Sequence, residues 1–553
     1  MSPSVPRSGS TLIALLVGLL LWSVSVHAQD WSPLINLQTT IGEPATAIHA
    51  TTLQDGRVLV IGASPTLFGP PVQGLLTVPP GTLPASLTIT QPSFTYEVPY
   101  QQSAGPFQVW SSLVCAGGTL LADGRPFYLG GTLFLRNEPD NYIILVGLSK
   151  GFTFSPGADQ WSTLAATFPG TGEGGHATSW YGTAVTLPNA DVLVYGGIEG
   201  LIVTTSHTGM ATENRSLVRW RAATNAWDVL STSHNTPPET WSNQYSHIFV
   251  LPAPVPAGDI LLIGQAGVPV FFKTATNGWT VSRHARPGGI ASPNAHASSV
   301  MLPIRTIDGD QGYHNGSVLV VGEDFVDVYD PVTDAWPVHL AMGVTRAYPS
   351  TVLLPDGKVL IVGGTNAPVD ANAGRAQIYD PATATLAWAG TATAAEQRGY
   401  HTVTSLQPNG RVLVGGGLAV APDVMGALEQ TTARVFTPAF VAGPRPNLVA
   451  LFNFAGQQTT TLHYGESALL VWSGATPVTS AQLVGLSAMT HSFDAHQRTV
   501  QMTWLASFLL TGTPVVLVTA PASAQIAPPG PYGLSLVTAA GVPSVSTVIT
   551  LAP

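Results

Sequence analysis

Asp356-Gly357-Lys358-Val359-Leu360-Ile361-Val362-Gly363-Gly364 sets the pattern on which most of this chain is built. Asp and Gly make a turn that tolerates positive φ, four apolar residues follow as a strand, and the closing glycines permit irregular backbone and close approach of neighbouring chain. The apolar run from Tyr348 to Leu354 precedes the turn, so the unit is a β-hairpin. The pattern recurs at Asp55-Gly56-Arg57 through Gly62, Asp123-Gly124-Arg125 through Gly130-Gly131, and Ala190-Asp191 through Gly196-Gly197. It returns at Gly258-Asp259 through Gly264, Gly316-Ser317 through Gly322, and Asn409-Gly410-Arg411 through Gly417. Seven copies result, a number within the range of a radial array of blades.

In most copies a further strand, a turn and a tryptophan follow, as in Val328 to Trp336, Phe152 to Trp161 and Val218 to Trp227. Four strands per unit resemble the kelch repeat, and the fold expected is all-β: a seven-bladed kelch-type β-propeller. The last copy leads to Ala433-Arg434-Val435-Phe436-Thr437-Pro438 without its tryptophan strand. Trp31-Ser32-Pro33-Leu34-Ile35 is available to complete it, which leaves no long edge unpaired. The Pro-rich switch Gly443-Pro444-Arg445-Pro446 ends the pattern. Beyond it, Ser467 to Trp472, Ser480 to Leu486, Arg498 to Trp504, Val515 to Thr519 and Tyr532 to Val537 read as short strands of a small immunoglobulin-like (E-set) β-sandwich. The domains expected are therefore 1–28 as a signal peptide, 29–443 as the propeller and 444–553 as the sandwich.

The signal peptide rests on Arg7, the uninterrupted apolar stretch Leu12 to Trp22, and small residues around Val26-His27-Ala28. That stretch falls short of the roughly 20 residues a membrane span needs. The mature protein is expected to be secreted, or periplasmic in a bacterium, with no membrane association after cleavage. Of 553 residues, 45% are hydrophobic and only 9% charged, with 57 Gly and 46 Pro. Soluble domains average about 25% charged, so the composition fits a turn-rich exported β protein. A net charge of −10 without a basic run argues against nucleic acid as a partner. The single cysteine, Cys115, excludes a disulfide framework and a tetrathiolate zinc site.

The inner strand of each blade lines the central channel, which brings Cys115, Tyr181, Tyr400 and His401 toward one end of the axis. Adjacent strand residues point to opposite faces, so Tyr400 and His401 reach one metal only where the backbone is irregular. Phenolate oxygen and imidazole nitrogen together suit divalent copper. Taken alone, the pair reads first as two hydrogen-bonded residues at a strand start, and Cys115 as a buried inert thiol. The sandwich adds Met489-Thr490-His491-Ser492-Phe493 on a hairpin.

With these residues in order, the chain resembles the copper radical oxidases of the glyoxal oxidase and galactose oxidase family over nearly its whole mature length. The resemblance implies one copper ion held by Tyr181, Tyr400, His401 and His491, and a thioether between Cys115 and Tyr181 that makes the phenol a second redox centre. It implies catalytic roles for Cys115, Tyr181 and Tyr400. The implied reaction is oxidation of small aldehydes, as hydrates, to carboxylic acids, with O2 reduced to hydrogen peroxide. Primary alcohols, or a galactose-type substrate, are the alternative, and so is a non-catalytic kelch propeller that binds polysaccharide or protein. A monomer is expected. Two departures favour the glyoxal oxidase side: no tryptophan follows Gly197 where the galactose oxidase type stacks one over the cross-link, and the extra N-terminal sugar-binding domain is absent. Ser179 stands where Arg often precedes Trp-Tyr in glyoxal oxidase-like members. Trp180 is either a shield for the cross-link or a core aromatic.

Weaker signals remain. Gly170-Thr171-Gly172-Glu173-Gly174-Gly175 fits a dinucleotide fingerprint by letter only and reads as an interblade loop. His49, His176, His247 and His296 read as mainly structural, with one or two at the substrate mouth. Asn214 and Asn315 head glycosylation sequons.

Overall fold

The computed structural model describes residues 30–63, 71–90, 107–137, 142–169, 178–203, 212–237, 245–263, 268–287, 297–365, 374–390, 396–418 and 429–553. The expected signal peptide, His176, His296 and the Gly170 loop lie outside the described residues. Within them the chain is all-β, with two short 3-10 turns and no α-helix, arranged as a series of separate propeller-like sheets followed by a two-sheet C-terminal region.

The repeats read from sequence become hairpins, most of them in separate sheets. His49–Thr52, Val58–Ala63 and Pro71–Leu76 pair in order. Thr183–Thr186, Val192–Tyr195, Leu217–Arg221 and Ala226–Ser231 form a four-stranded sheet, as do His247–Val255, Gly258–Ile263, Val270–Lys273 and Gly278–Val281. The run Ala335–Leu353 is a 19-residue strand that serves two hairpins. Its first part pairs with Val318–Asp330 and its last with Val359–Thr365. Two repeats are thereby joined into one six-stranded path.

The glycine pairs have a steric reason. At Gly130 φ is +76° and a Cβ would lie 1.8 Å from Ser179 O; at Gly416 φ is +63° and a Cβ would lie 1.9 Å from Ala47 O. Backbone of the following unit passes where any side chain would stand.

The N-terminal strands lie in the sheet of the last repeat. Trp31 is opposite Phe436 and Ile35 opposite Ala433, both antiparallel, and the Trp31 ring meets Phe436 edge-on at 5.2 Å. This is the pairing that the missing tryptophan strand predicts.

The C-terminal strands fall into two sheets. Arg498 to Trp504, read as one strand, is two: Thr499–Gln501 pairs with Val478–Gly485, and Thr503–Leu510 with Thr513–Thr519. The chain crosses from one sheet to the other at Met502, whose N–H turns aside to Ala481 O at 2.9 Å. Periodicity carries through such a crossover, so the sequence pattern did not reveal it. One hairpin leaves this region altogether: Ala488–Thr490 joins the first repeat's sheet, with Thr490 opposite His49.

Candidate active site

Five strand entries and the intruding hairpin meet at one buried point. Five buried non-glycine residues at the mouths of inner strands hold left-handed backbone: Cys115 and Tyr181 at φ 64°, Tyr245 at 44°, Tyr348 at 60° and His401 at 71°. His491, at the tip of the hairpin, has φ 44°. Bulky residues rarely adopt this region, and each such conformation costs roughly 1–3 kcal/mol, so a cluster of them marks a place where geometry is imposed. The irregularity that Tyr400 and His401 require is this turn at His401. It lets the two neighbouring rings share one side, with centroids 3.9 Å apart. At Cys115 the turn coincides with a break in register between Ser112 and Ala116, a bulge that aims the thiol inward.

The five residues singled out from sequence are all buried and come together. The Tyr181 and Tyr400 hydroxyls hydrogen-bond to each other. Cys115 Sγ stands 3.8 Å from His401 Nε2 and 3.6 Å from His491 Nε2, and the three donor atoms lie within 4.8 Å of one another. The His491 ring is 5.5 Å from that of Tyr181, 5.1 Å from that of Tyr400 and 4.5 Å from that of His401. Trp180 packs against Tyr181 with centroids 4.5 Å apart and planes tilted by 35°.

Burial, then the nearby Cys115, pushes the Tyr181 phenol well above its ordinary range; for Tyr400 burial leads and Tyr181 adds to it. Both are neutral phenols unless a cation offsets the lost hydration, and a bound divalent ion inverts this balance. Burial also acts to lower His401, but the Glu429 carboxylate on Nδ1, and Cys115, carry it up to about 9. Two imidazole Nε2 atoms and two phenol oxygens around one buried point are a donor set that suits divalent copper, so the residues present fit such an ion.

Several contributors were not singled out from sequence. Tyr245 stacks on His491 at 4.2 Å, its hydroxyl donating to Ala116 O at 3.1 Å, and Tyr348 meets Tyr400 edge-on at 5.5 Å. Both occupy the slot ahead of an inner strand that Tyr181 occupies in its own unit, and that equivalence is the signal that would have found them. Glu429 sits in an isolated bridge to Leu418, outside any repeat position. His49 is structural: its Nε2 accepts the Cys115 N–H at 3.0 Å, and burial, then His401, holds it neutral with a pKa of about 3. His247 bonds through Nδ1 to Ser299 Oγ at 2.6 Å and stacks on Phe493. The Asn214 side chain is buried and donates to Thr178 O at 3.1 Å, which leaves that sequon without an accessible amide.

The hairpin that carries His491 is fastened on both sides. Asp494 Oδ1 accepts the N–H groups of Ala488, His496 and Gln497 at 2.9, 3.2 and 3.0 Å. Gln497 Oε1 accepts the Leu353 N–H at 2.7 Å, and Arg498 reaches Ile526 O at 2.7 Å and Val250 O.

Residues 450–551 match the galactose oxidase-like Early set domain. An aldehyde oxidase of Vitis pseudoreticulata is 24% identical over 484 residues, covering 81% of this chain and 83% of that protein. The chain is similar to the glyoxal oxidase-like aldehyde oxidases and the galactose oxidases. A galactose oxidase of Gibberella zeae is 24% identical over 305 residues, 53% of this chain and 43% of its own length. In fold, the chain is similar to a fungal alcohol oxidase of the AA5 family solved in complex with copper, with a TM-score of 0.66 at 15% identity over 95% of this chain and all of that one.

Proposed function

We propose that this protein is a copper radical oxidase of the glyoxal oxidase type, which oxidises small aldehydes as their hydrates and reduces O2 to hydrogen peroxide. The observation that carries the reading is the meeting of Cys115, Tyr181, Tyr400, His401 and His491, with strained backbone at four of the five. Its setting is a propeller of seven blades, with Ala335–Leu353 shared between two of them, closed by the N-terminal strands and capped by a sandwich from about residue 444. The protein acts outside the cytoplasm, as a monomer.

Tyr181, Tyr400, His401 and His491 would hold the copper. When bound, copper supplies a one-electron change and the positive charge that makes two buried phenols ionisable. Removing two electrons from an aldehyde hydrate, RCH(OH)2 to RCOOH with two protons, needs a second one-electron centre. Cys115 and Tyr181 would provide it: joined by a thioether, the ring would carry an unpaired electron at lower cost and could take a hydrogen atom from the substrate carbon. Tyr400, hydrogen-bonded to Tyr181, accepts the hydroxyl proton. Trp180 covers the Tyr181 ring and keeps water from it. The two electrons and two protons leave on O2 as hydrogen peroxide.

A second reading rests on Cys115 Sγ itself, 3.6 and 3.8 Å from two imidazole nitrogens. Two histidines and a thiolate are also the donors of an electron-transfer copper site, in which Cys115 would be a ligand and no peroxide would form.

The test is a peroxidase-coupled assay of purified, copper-loaded protein against methylglyoxal, glyoxal, glycolaldehyde, galactose and benzyl alcohol, with Tyr181→Phe as control. Peroxide from the wild type that vanishes in the variant supports the oxidase, and an aldehyde as best substrate supports the glyoxal oxidase type. Silence on every substrate in a protein that binds no copper would sink the reading in favour of a binding propeller.

A further inference from the structure

His401 and His491 both turn Nε2 toward the centre, and each is held from behind through Nδ1, but by partners of different charge. His491 Nδ1 meets the Thr490 hydroxyl at 2.6 Å, a neutral group that reaches Ile48 O at 3.4 Å. His401 Nδ1 meets a carboxylate oxygen, Glu429 Oε1. Glu429 is 3% exposed, and its other oxygen, Oε2, is buried with no hydrogen-bond partner among the described residues.

A buried carboxylate whose second oxygen finds no partner among the described residues is a poor device for stability. The desolvation of the charge and of the bare oxygen offsets most of what one imidazole contact returns, and a neutral side chain of the same shape would serve folding at least as well. Its usefulness lies in what it does to the ring in front of it. A carboxylate on Nδ1 fixes the proton there, leaves the Nε2 lone pair free, orients the ring and increases its basicity toward a metal.

We infer that Glu429 is a positioning residue that holds His401 as an Nε2 donor and strengthens its bond to the copper ion, so that the two histidines of the site are unequal ligands. The inference rests on the reading of this site as a copper centre. It gives the segment after the last repeat's glycines, which the repeat pattern leaves without a role, a part in setting metal affinity.

The test uses metal-free full-length protein, titrated with Cu(II) against a competing chelator, with the melting temperature of the metal-free form and the electron paramagnetic resonance spectrum of the copper form measured beside it. Glu429→Gln can still accept from Nδ1 but lacks the charge. The expected result is a copper affinity roughly 10–100-fold weaker, a changed copper hyperfine pattern and a metal-free melting temperature close to that of the wild type. Wild-type affinity and spectrum in Glu429→Gln overturn the inference and leave the copper centre standing. A wild-type protein that takes up no copper overturns the copper reading, and the inference with it. If the Gln variant does not fold, Glu429→Asp, which keeps the charge but draws it back by one methylene, is expected to bind copper about tenfold more weakly, and unchanged affinity there overturns the inference.

Discussion

The backbone N–H of Tyr181 donates to the carbonyl of Cys115 at 2.9 Å, and both residues hold a φ of 64°. Strands of two neighbouring sheets are tied together at the one point where each departs from regular geometry. The consequence is that the single thiol and a buried phenol are presented to the same small space from units 66 residues apart in sequence, Tyr181 minus Cys115. A strand continuing regularly through either residue would send its side chain to the opposite face.

Tyr400 is the proton acceptor in this account, and Tyr400→Phe removes its oxygen while keeping the ring in contact with Tyr348 and His401. Turnover is expected to fall by about 10²–10⁴-fold, with the metal-free melting temperature nearly unchanged. Steady-state assays of copper-loaded variant and wild type measure this, and a loss below tenfold would remove Tyr400 from that role.

The acid side of the stability curve carries a signature of His496. Its Nδ1 side contacts Leu486 O at 2.9 Å, and burial first, then Arg498, brings its pKa from 6.5 down to about 4. The unfolded chain binds the proton that the folded chain refuses, so this group's contribution is present above pH 6.5 and is lost as the pH falls toward 4, to a total of about 3 kcal/mol. Asp494 works in the opposite sense: burial raises it from 3.8 to about 6, so its contribution is present below 3.8 and is lost as the pH rises through 6. His496→Gln, which keeps a donor for Leu486 O, is therefore expected to show a flatter melting temperature between pH 6.5 and 4 than the wild type. Parallel curves would contradict it.

Deleting the chain through Leu37 removes the partners of Phe436 and Ala433, together with the buried Ile35 and Leu37. The strand Thr432–Thr437 then becomes an exposed edge. Loss of cooperative unfolding, or a much lower melting temperature by circular dichroism, is the expected result. An unchanged transition would mean that the N-terminal strands are ornamental.

The repeats were legible because a turn of Asp or Asn with Gly, then apolar residues, then Gly is dictated by local sterics, and Gly130 and Gly416 show why no side chain could replace the hydrogen there. Cys115, Tyr181, Tyr400 and His401 were legible because equivalent positions of repeated units must lie side by side, and His491 through the resemblance of its hairpin to a known family. The rest depended on distances that no local pattern encodes. Glu429 approaches His401 from outside any repeat position, Tyr348 reads only as the start of an apolar strand, Tyr245 is not singled out by the pattern, and periodicity carries through the crossover at Met502. The left-handed turns at Cys115, Tyr181 and His401 were equally hidden, since these residue types give no local reason for positive φ.

The central claim is that Cys115 and Tyr181 become one redox unit at a copper site. Joining a thiol to a ring carbon of a phenol removes two hydrogens, as two protons and two electrons taken up by O2 in the presence of copper. The direct measurement is the intact mass of the purified protein before and after copper and air, with Cys115→Ser beside it. The account predicts a mass lower by two hydrogens in the treated wild type and no change in the variant. An unshifted mass in protein that binds copper and produces peroxide would contradict it.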